Sequence, residues 1–111
     1  MSGIRWRVAS LILVLVAPGM VMAGIWKESQ PWPYPGEMLI YSGCGCADSC
    51  WVAELRSKRT QALKARLRCD CEVVHFLKVG EKERVYAPSC KAFEGNDKFE
   101  VITRTMETLT H

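Results

Sequence analysis

"LKARLRCDCEVVHFLKVG" (63–80) is the stretch whose reading decides the fold. Its odd positions are Ala65, Leu67, Cys69, Cys71, Val73, His75, Leu77 and Val79. Its even positions are Lys64, Arg66, Arg68, Asp70 and Glu72, then Val74, Phe76 and Lys78. From 64 to 73 apolar and charged residues alternate without a break. Successive side chains of an extended chain point to opposite faces, so this pattern predicts one long, half-buried strand. A helix over 52–68 is the alternative, because Gln, Ala, Leu, Lys and Arg are good helix formers. A helical stripe from Leu55 through Leu63 would also have to bury Arg59, which favours the strand. In the strand, Cys69, Cys71 and His75 share the buried-face register, with His75 a half-buried histidine holding a hydrogen-bond partner.

Outward from that stretch the signals are those of strands and turns. "EMLIYSG" (37–43) is a short apolar run ended by glycine, and "CWVAELRS" (50–57) is a strand or the start of a helix. "SKRTQ" (57–61) is a polar turn. "KVGEKERVYA" (78–87) predicts a hairpin turn near Gly80 and a further strand, which Pro88 stops before Cys90. "EGND" (94–97) is another turn. "KFEVITRTMETLT" (98–110), rich in Val, Ile, Thr and Phe, predicts the last strand. The expectation is a mostly β fold, a small antiparallel barrel or sandwich of about five strands, forming a single domain over 37–111.

The N-terminus predicts export. Arg5 and Arg7 precede an uncharged run, Val8–Trp26, that Pro18 and Gly19 interrupt, and "VMA" (21–23) offers a signal-peptidase site. Residues 1–23 therefore read as a signal peptide cleaved after Ala23, which places the mature chain outside the cytoplasm, secreted or periplasmic. An uncleaved membrane anchor is the alternative. After cleavage no membrane partner is expected. Loss of Arg5 and Arg7 takes the fifteen Lys and Arg to thirteen, against twelve Asp and Glu, a balance that implies no nucleic-acid partner. Residues 24–36, with Pro31, Pro33 and Pro35 alternating with Trp32 and Tyr34, form an extended lead-in. It is a spacer, a strap that packs its rings on the domain, or an aromatic docking segment.

Six cysteines, Cys44, Cys46, Cys50, Cys69, Cys71 and Cys90, all lie beyond the signal. An even count in a short exported chain reads first as a disulfide framework. A domain of this size buries a modest share of its surface, so cross-links are needed. A bridge within either C-x-C pair would close a strained ring, and bridges between distant segments are easier. Two facing C-x-C segments forming a ladder, with Cys50 left near Cys90, is one candidate pairing among many. Two other uses remain open. Closely spaced thiolates suit Zn²⁺ or Cu(I), although the C-x2-C knuckle spacing is absent. A labile bridge could exchange disulfides, although no C-x-x-C or βαβ pattern accompanies it.

No phosphate-binding loop, serine elbow or paired-histidine zinc motif is present, so no enzyme and no cofactor are expected. Arg56, Lys58, Arg59, Lys64, Arg66 and Arg68 form a basic cluster, either a solvated strand face or a contact for an anionic polymer or acidic partner.

The order of elements resembles the netrin-like module, the OB-type barrel of the tissue inhibitors of metalloproteinases. "CGCADSC" (44–50) followed by "WVAELRS" is similar to that family's C-x-C opening, with a third cysteine before a strand. "VVHFLKVGEKERVYAPSC" (73–90) is similar to its strand, lysine-glycine turn, strand and cysteine, and "KAFEGNDKFEVI" to the strand after it. The resemblance spans about residues 44–102 and implies a five-stranded OB-like barrel with a binding or inhibitory role. "CDC" (69–71) and the short gap from Cys46 to Cys50 depart from the family pattern. Those inhibitors grip a protease zinc through an N-terminal cysteine. Here the 20 residues Gly24–Gly43 would precede Cys44, leaving its nitrogen an amide and a poor ligand. The expected function is non-catalytic binding or inhibition of a protein partner. The loops around 43–50 and 88–97, with Trp32, Tyr34 and Trp51, are the candidate surface, and a thiol-based metal-binding or disulfide-exchange role is the alternative.

Overall fold

The computed structural model describes residues 27–111. The expected signal peptide, 1–23, and the first residues of the lead-in lie outside them. Six strands pair in chain order into one antiparallel sheet: β1 (Lys27–Gln30), β2 (Glu37–Gly45), β3 (Cys50–Ser57), β4 (Leu63–Asp70), β5 (Val74–Lys78) and β6 (Arg84–Ala87). A 3-10 turn at Lys91–Phe93 leads to helix α1 (Lys98–Thr110). β1 and β6 are the sheet's edges and do not pair with each other, so the sheet is not closed. The expected barrel or sandwich is corrected to an open sheet with a helical layer. A sheet with one apolar face needs one cover, and the helix provides it.

Alternation in each strand builds the core. Leu39 and Tyr41 of β2, Trp51, Ala53 and Leu55 of β3, Ala65, Leu67 and Cys69 of β4, and Val74 and Phe76 of β5 are buried on one face. Phe93, Ile102 and Met106 close over them from the helical side.

The expected last strand, 98–110, is the helix. Lys98, Ile102 and Met106 recur every four residues and are its buried positions, with Val101 and Leu109 packed beside them. The β-branched residues suggested a strand, but their spacing serves one helical face, and tertiary packing overrides propensity. The expected count of five strands becomes six, because 98–110 leaves the sheet while the 63–80 run divides and the lead-in contributes β1.

The long strand of 63–80 breaks at Asp70. Its Oδ1 accepts from the amides of Glu72 (3.1 Å) and Val73 (2.8 Å), an Asx turn that places Cys71 at φ +83°. The turn inserts residues between β4 and β5, so Val74 and Phe76 are buried, not Val73 and His75. His75 therefore sits on the open face, corrected from the buried register, with Nε2 2.8 Å from Asp70 Oδ2. The amide of Val73 first, then His75 and the amide of Glu72, hold the Asp70 carboxyl well below the usual carboxylate range.

Candidate functional site

The hairpin joining β2 to β3 is the most constrained part of the described chain. Pairing runs Gly43 to Trp51 and then Gly45 to Cys50, leaving Cys44 as the extra residue of a bulge. Cys46, Ala47 and Asp48 follow at φ +54°, +50° and +79°. Three consecutive non-glycine residues in the left-handed region are costly, at about 1–3 kcal/mol each. Several constraints hold them. Cys44 bonds to Cys50 across the hairpin, and Cys46 bonds to Cys71 beyond the end of β4. The Ser49 amide donates to Cys46 O (2.9 Å), and the Cys71 amide donates to Ser49 O (2.7 Å). Ser49 Oγ donates to Glu94 Oε2 (2.9 Å), which ties the hairpin to the turn before α1. The two expected loops, 43–50 and 88–97, thus come together at one end of the sheet.

Lys98, the first residue of α1, completes this end from below. It is buried, and its Nζ donates to Tyr41 Oη (2.8 Å) and to the carbonyl of Asp48 (2.9 Å). The ammonium lies 5.1 Å from the centre of the Tyr41 ring and 5.8 Å from that of Trp51, within cation–π range. Above it opens a cavity of about 530 Å³ lined by Tyr41, Gly43, Gly45, Asp48, Lys98 and Phe99, among others.

Of the expected surface aromatics, Trp32 and Tyr34 lie elsewhere, and Trp51 lies beneath the site, not on its surface. Trp51 is fully buried at the centre of the core, which corrects its expected role as a partner contact. Its place opposite Gly43 on β2 and Cys69 on β4 puts the ring on the apolar face. Trp32 and Tyr34 pack on the domain at the end of α1. Tyr34 stacks on His111 at 3.7 Å and donates from Oη to Glu107 Oε2 (2.7 Å), a bond that raises the phenol's pKa. Trp32 Nε1 and His111 Nε2 each lie 2.9 Å from Glu37 Oε1, and Lys64 Nζ pairs with Glu37 Oε2. Burial by itself would raise the Glu37 pKa, but the bonds from Lys64, His111 and Trp32 prevail and lower it to about 2. Of the three ways to read the lead-in, the strap describes Trp32 and Tyr34.

The basic cluster is largely paired within the domain. Arg56 bonds Glu54, Lys64 bonds Glu37, and Arg68 grips Glu83 through two bonds of 2.9 Å with Arg66 at 3.6 Å. Such pairing leaves less free charge for a polymer than the sequence suggested.

All six cysteines are paired. One bond, Cys46–Cys71, joins the two C-x-C segments as the ladder pairing supposed. The other rung is replaced by Cys44–Cys50 and Cys69–Cys90, because the ends of the hairpin already meet at Cys44 and Cys50. Lys98 is the site residue that sequence reasoning missed. Its four-residue spacing to Ile102 and Met106 was the available signal, hidden by reading 98–110 as a strand. No family model, curated protein or solved structure matches this chain.

Proposed function

We propose that the protein is an exported, non-catalytic binding module. It engages a protein partner through the end of the sheet formed by the 44–50 hairpin and the 94–99 segment. One observation carries this reading: the left-handed run Cys46–Asp48, strained yet fixed by two disulfides and by Lys98. The turn closed by the Ser49 amide on Cys46 O itself requires positive φ at Ala47 and Asp48. Such turns favour Asn and Gly, however, and do not need Cys46 left-handed as well. The retained strain lies in those residue choices, and strain clusters at contact and clamp sites. Three disulfides are compatible with an oxidising compartment outside the cytoplasm. The netrin-like resemblance does not carry this reading, since the sheet is open and the 98–102 segment it matched to a strand is helical.

A photo-reactive amino acid placed at Ala47 or Asn96, with the protein in its export compartment, tests the proposal. Adducts of discrete mass are expected from these positions and not from Lys82 in the turn before β6. Adducts of equal yield from Lys82, or none from the hairpin end, overturn it. A second reading, disulfide exchange, draws on the exposure of Cys44 and Cys46. Trapping of a mixed disulfide at either residue in a Cys50→Ser or Cys71→Ser chain would favour it instead.

A further inference from the structure

We infer that the cavity above Lys98 takes a monoanionic carboxylate carried beside an aromatic group, the chemistry of a peptide ending in an aromatic residue or of a free aryl acid. This deepens the proposed partner-binding role and rests on it.

Lys98 is 9% exposed, and an ammonium taken out of water needs compensation. Two of its three N–H groups are used, both by neutral oxygens. No ion pair within 4.0 Å among the described residues includes it. The rings of Tyr41 and Trp51 offset part of the cost, at the scale of about 1–2 kcal/mol. Its place compounds the problem. A lysine at the start of a 13-residue helix opposes the positive end of the helix dipole. The N-cap residue Asp97 makes no side-chain cap bond. The helix start, whose first amide is already bonded to Gly95 O, thus adds its dipole to a buried cation that lines the cavity. An anion complements both.

The rest of the lining sets the kind of anion. Tyr41 and Phe99 meet edge to face at 4.9 Å, and Phe99 is 40% exposed, so an aromatic surface faces the opening. Gly43 and Gly45 also line the cavity, and a Cβ built on either meets nothing within 4 Å. The space exists because these positions lack side chains. A volume of about 530 Å³ suits a ring and a carboxylate. Lys98 is the lining's one cation and Asp48 its one acid, so a single carboxylate can pair with the lysine while the second charge of a dianion would have no counter-charge. A dianionic phosphate is therefore the wrong ligand.

The test uses the disulfide-bonded mature protein and calorimetric titration. The probes are an N-acetylated tetrapeptide ending in Phe, the same peptide amidated at its C-terminus, phenylacetate, phenylacetamide and inorganic phosphate. Each acid is expected to bind at least about tenfold more tightly than its amide, and phosphate not to bind. Lys98→Gln is expected to erase the acid–amide difference. Gly43 has no positive φ, so Gly43→Leu can fill the cavity with the backbone unchanged and should abolish binding of both acids. Binding of the peptide acid without phenylacetate assigns the site to chain termini, and binding of both assigns it to aryl acids generally. Equal affinity of acid and amide, or undiminished binding by the Gly43→Leu protein, overturns the inference. Ala47 adducts that persist in a Gly43→Leu chain overturn the carboxylate site while leaving the partner-binding reading intact.

Discussion

At the scale of single residues, Glu37 shows how one buried carboxylate can hold three parts of the chain together. It receives Trp32 from the lead-in, Lys64 from β4 and His111 from beyond α1. Its pKa falls from 4.5 to about 2, against the effect of burial, so the folded state favours its ionised form. A lowered carboxyl pKa adds stability that is complete above the unfolded value and lost as pH falls through the folded one. The window is thus about 4.5 down to about 2. Glu37→Gln is expected to lose about 3 kcal/mol near neutral pH. Its deficit against the parent should shrink through that window and vanish near its lower end, as chemical denaturation at a series of pH values would show. A constant deficit at every pH would mean that Glu37 acts by packing alone.

At the scale of elements, the sequence was legible where one rule acted and misleading where two competed. β2 followed from a short apolar run ended by glycine, β3 was the strand of the two readings left open for 50–57, and Pro88 ended β6 as expected. The 63–80 run misled because its alternation continues through the turn. Asp70 was the available signal, since a short acidic side chain can cap a turn by bonding amides two and three residues on. The 98–110 segment misled because β-branched composition and helical spacing coincide in it, and only the covering role of the helix decides between them. That role gives a prediction. Ile102 and Met106 are buried to within 1% against the sheet, whereas Thr108 is exposed. Ile102→Ala is expected to cost about 2–4 kcal/mol by opening a cavity between the two layers, and Thr108→Ala about 0.5 kcal/mol or less. Urea unfolding of both variants checks this. A small loss at Ile102 would mean that the helix does not cover the sheet as described.

At the scale of the whole molecule, the disulfides divide by what they join. Cys44–Cys50 links residues six apart within one hairpin, and Cys46–Cys71 joins that hairpin to the turn after β4. Cys69–Cys90 alone ties the sheet to the segment leading into the helical layer, and both of its cysteines are at most 2% exposed. In the chain-entropy account a closed loop restricts the unfolded state more as it lengthens. The six-residue bridge should therefore contribute about 1 kcal/mol less than one spanning 21 or 25 residues. Burial adds a kinetic difference, because an attacking thiolate must reach the sulfur. Reduction by graded dithiothreitol, with trapping by iodoacetamide and peptide mapping, is expected to label Cys44, Cys46, Cys50 and Cys71 while Cys69 and Cys90 remain paired. The paired Cys44→Ser, Cys50→Ser chain should stay folded, its loss confined to the hairpin and therefore to the cavity beside Lys98. The paired Cys69→Ala, Cys90→Ala chain should lose about 2–4 kcal/mol and release the helix from the sheet, seen as loss of amide exchange protection across α1. Labelling of Cys69 and Cys90 first, or an α1 whose protection survives their removal, would show that packing of Ile102, Met106 and Phe93 alone holds the two layers together.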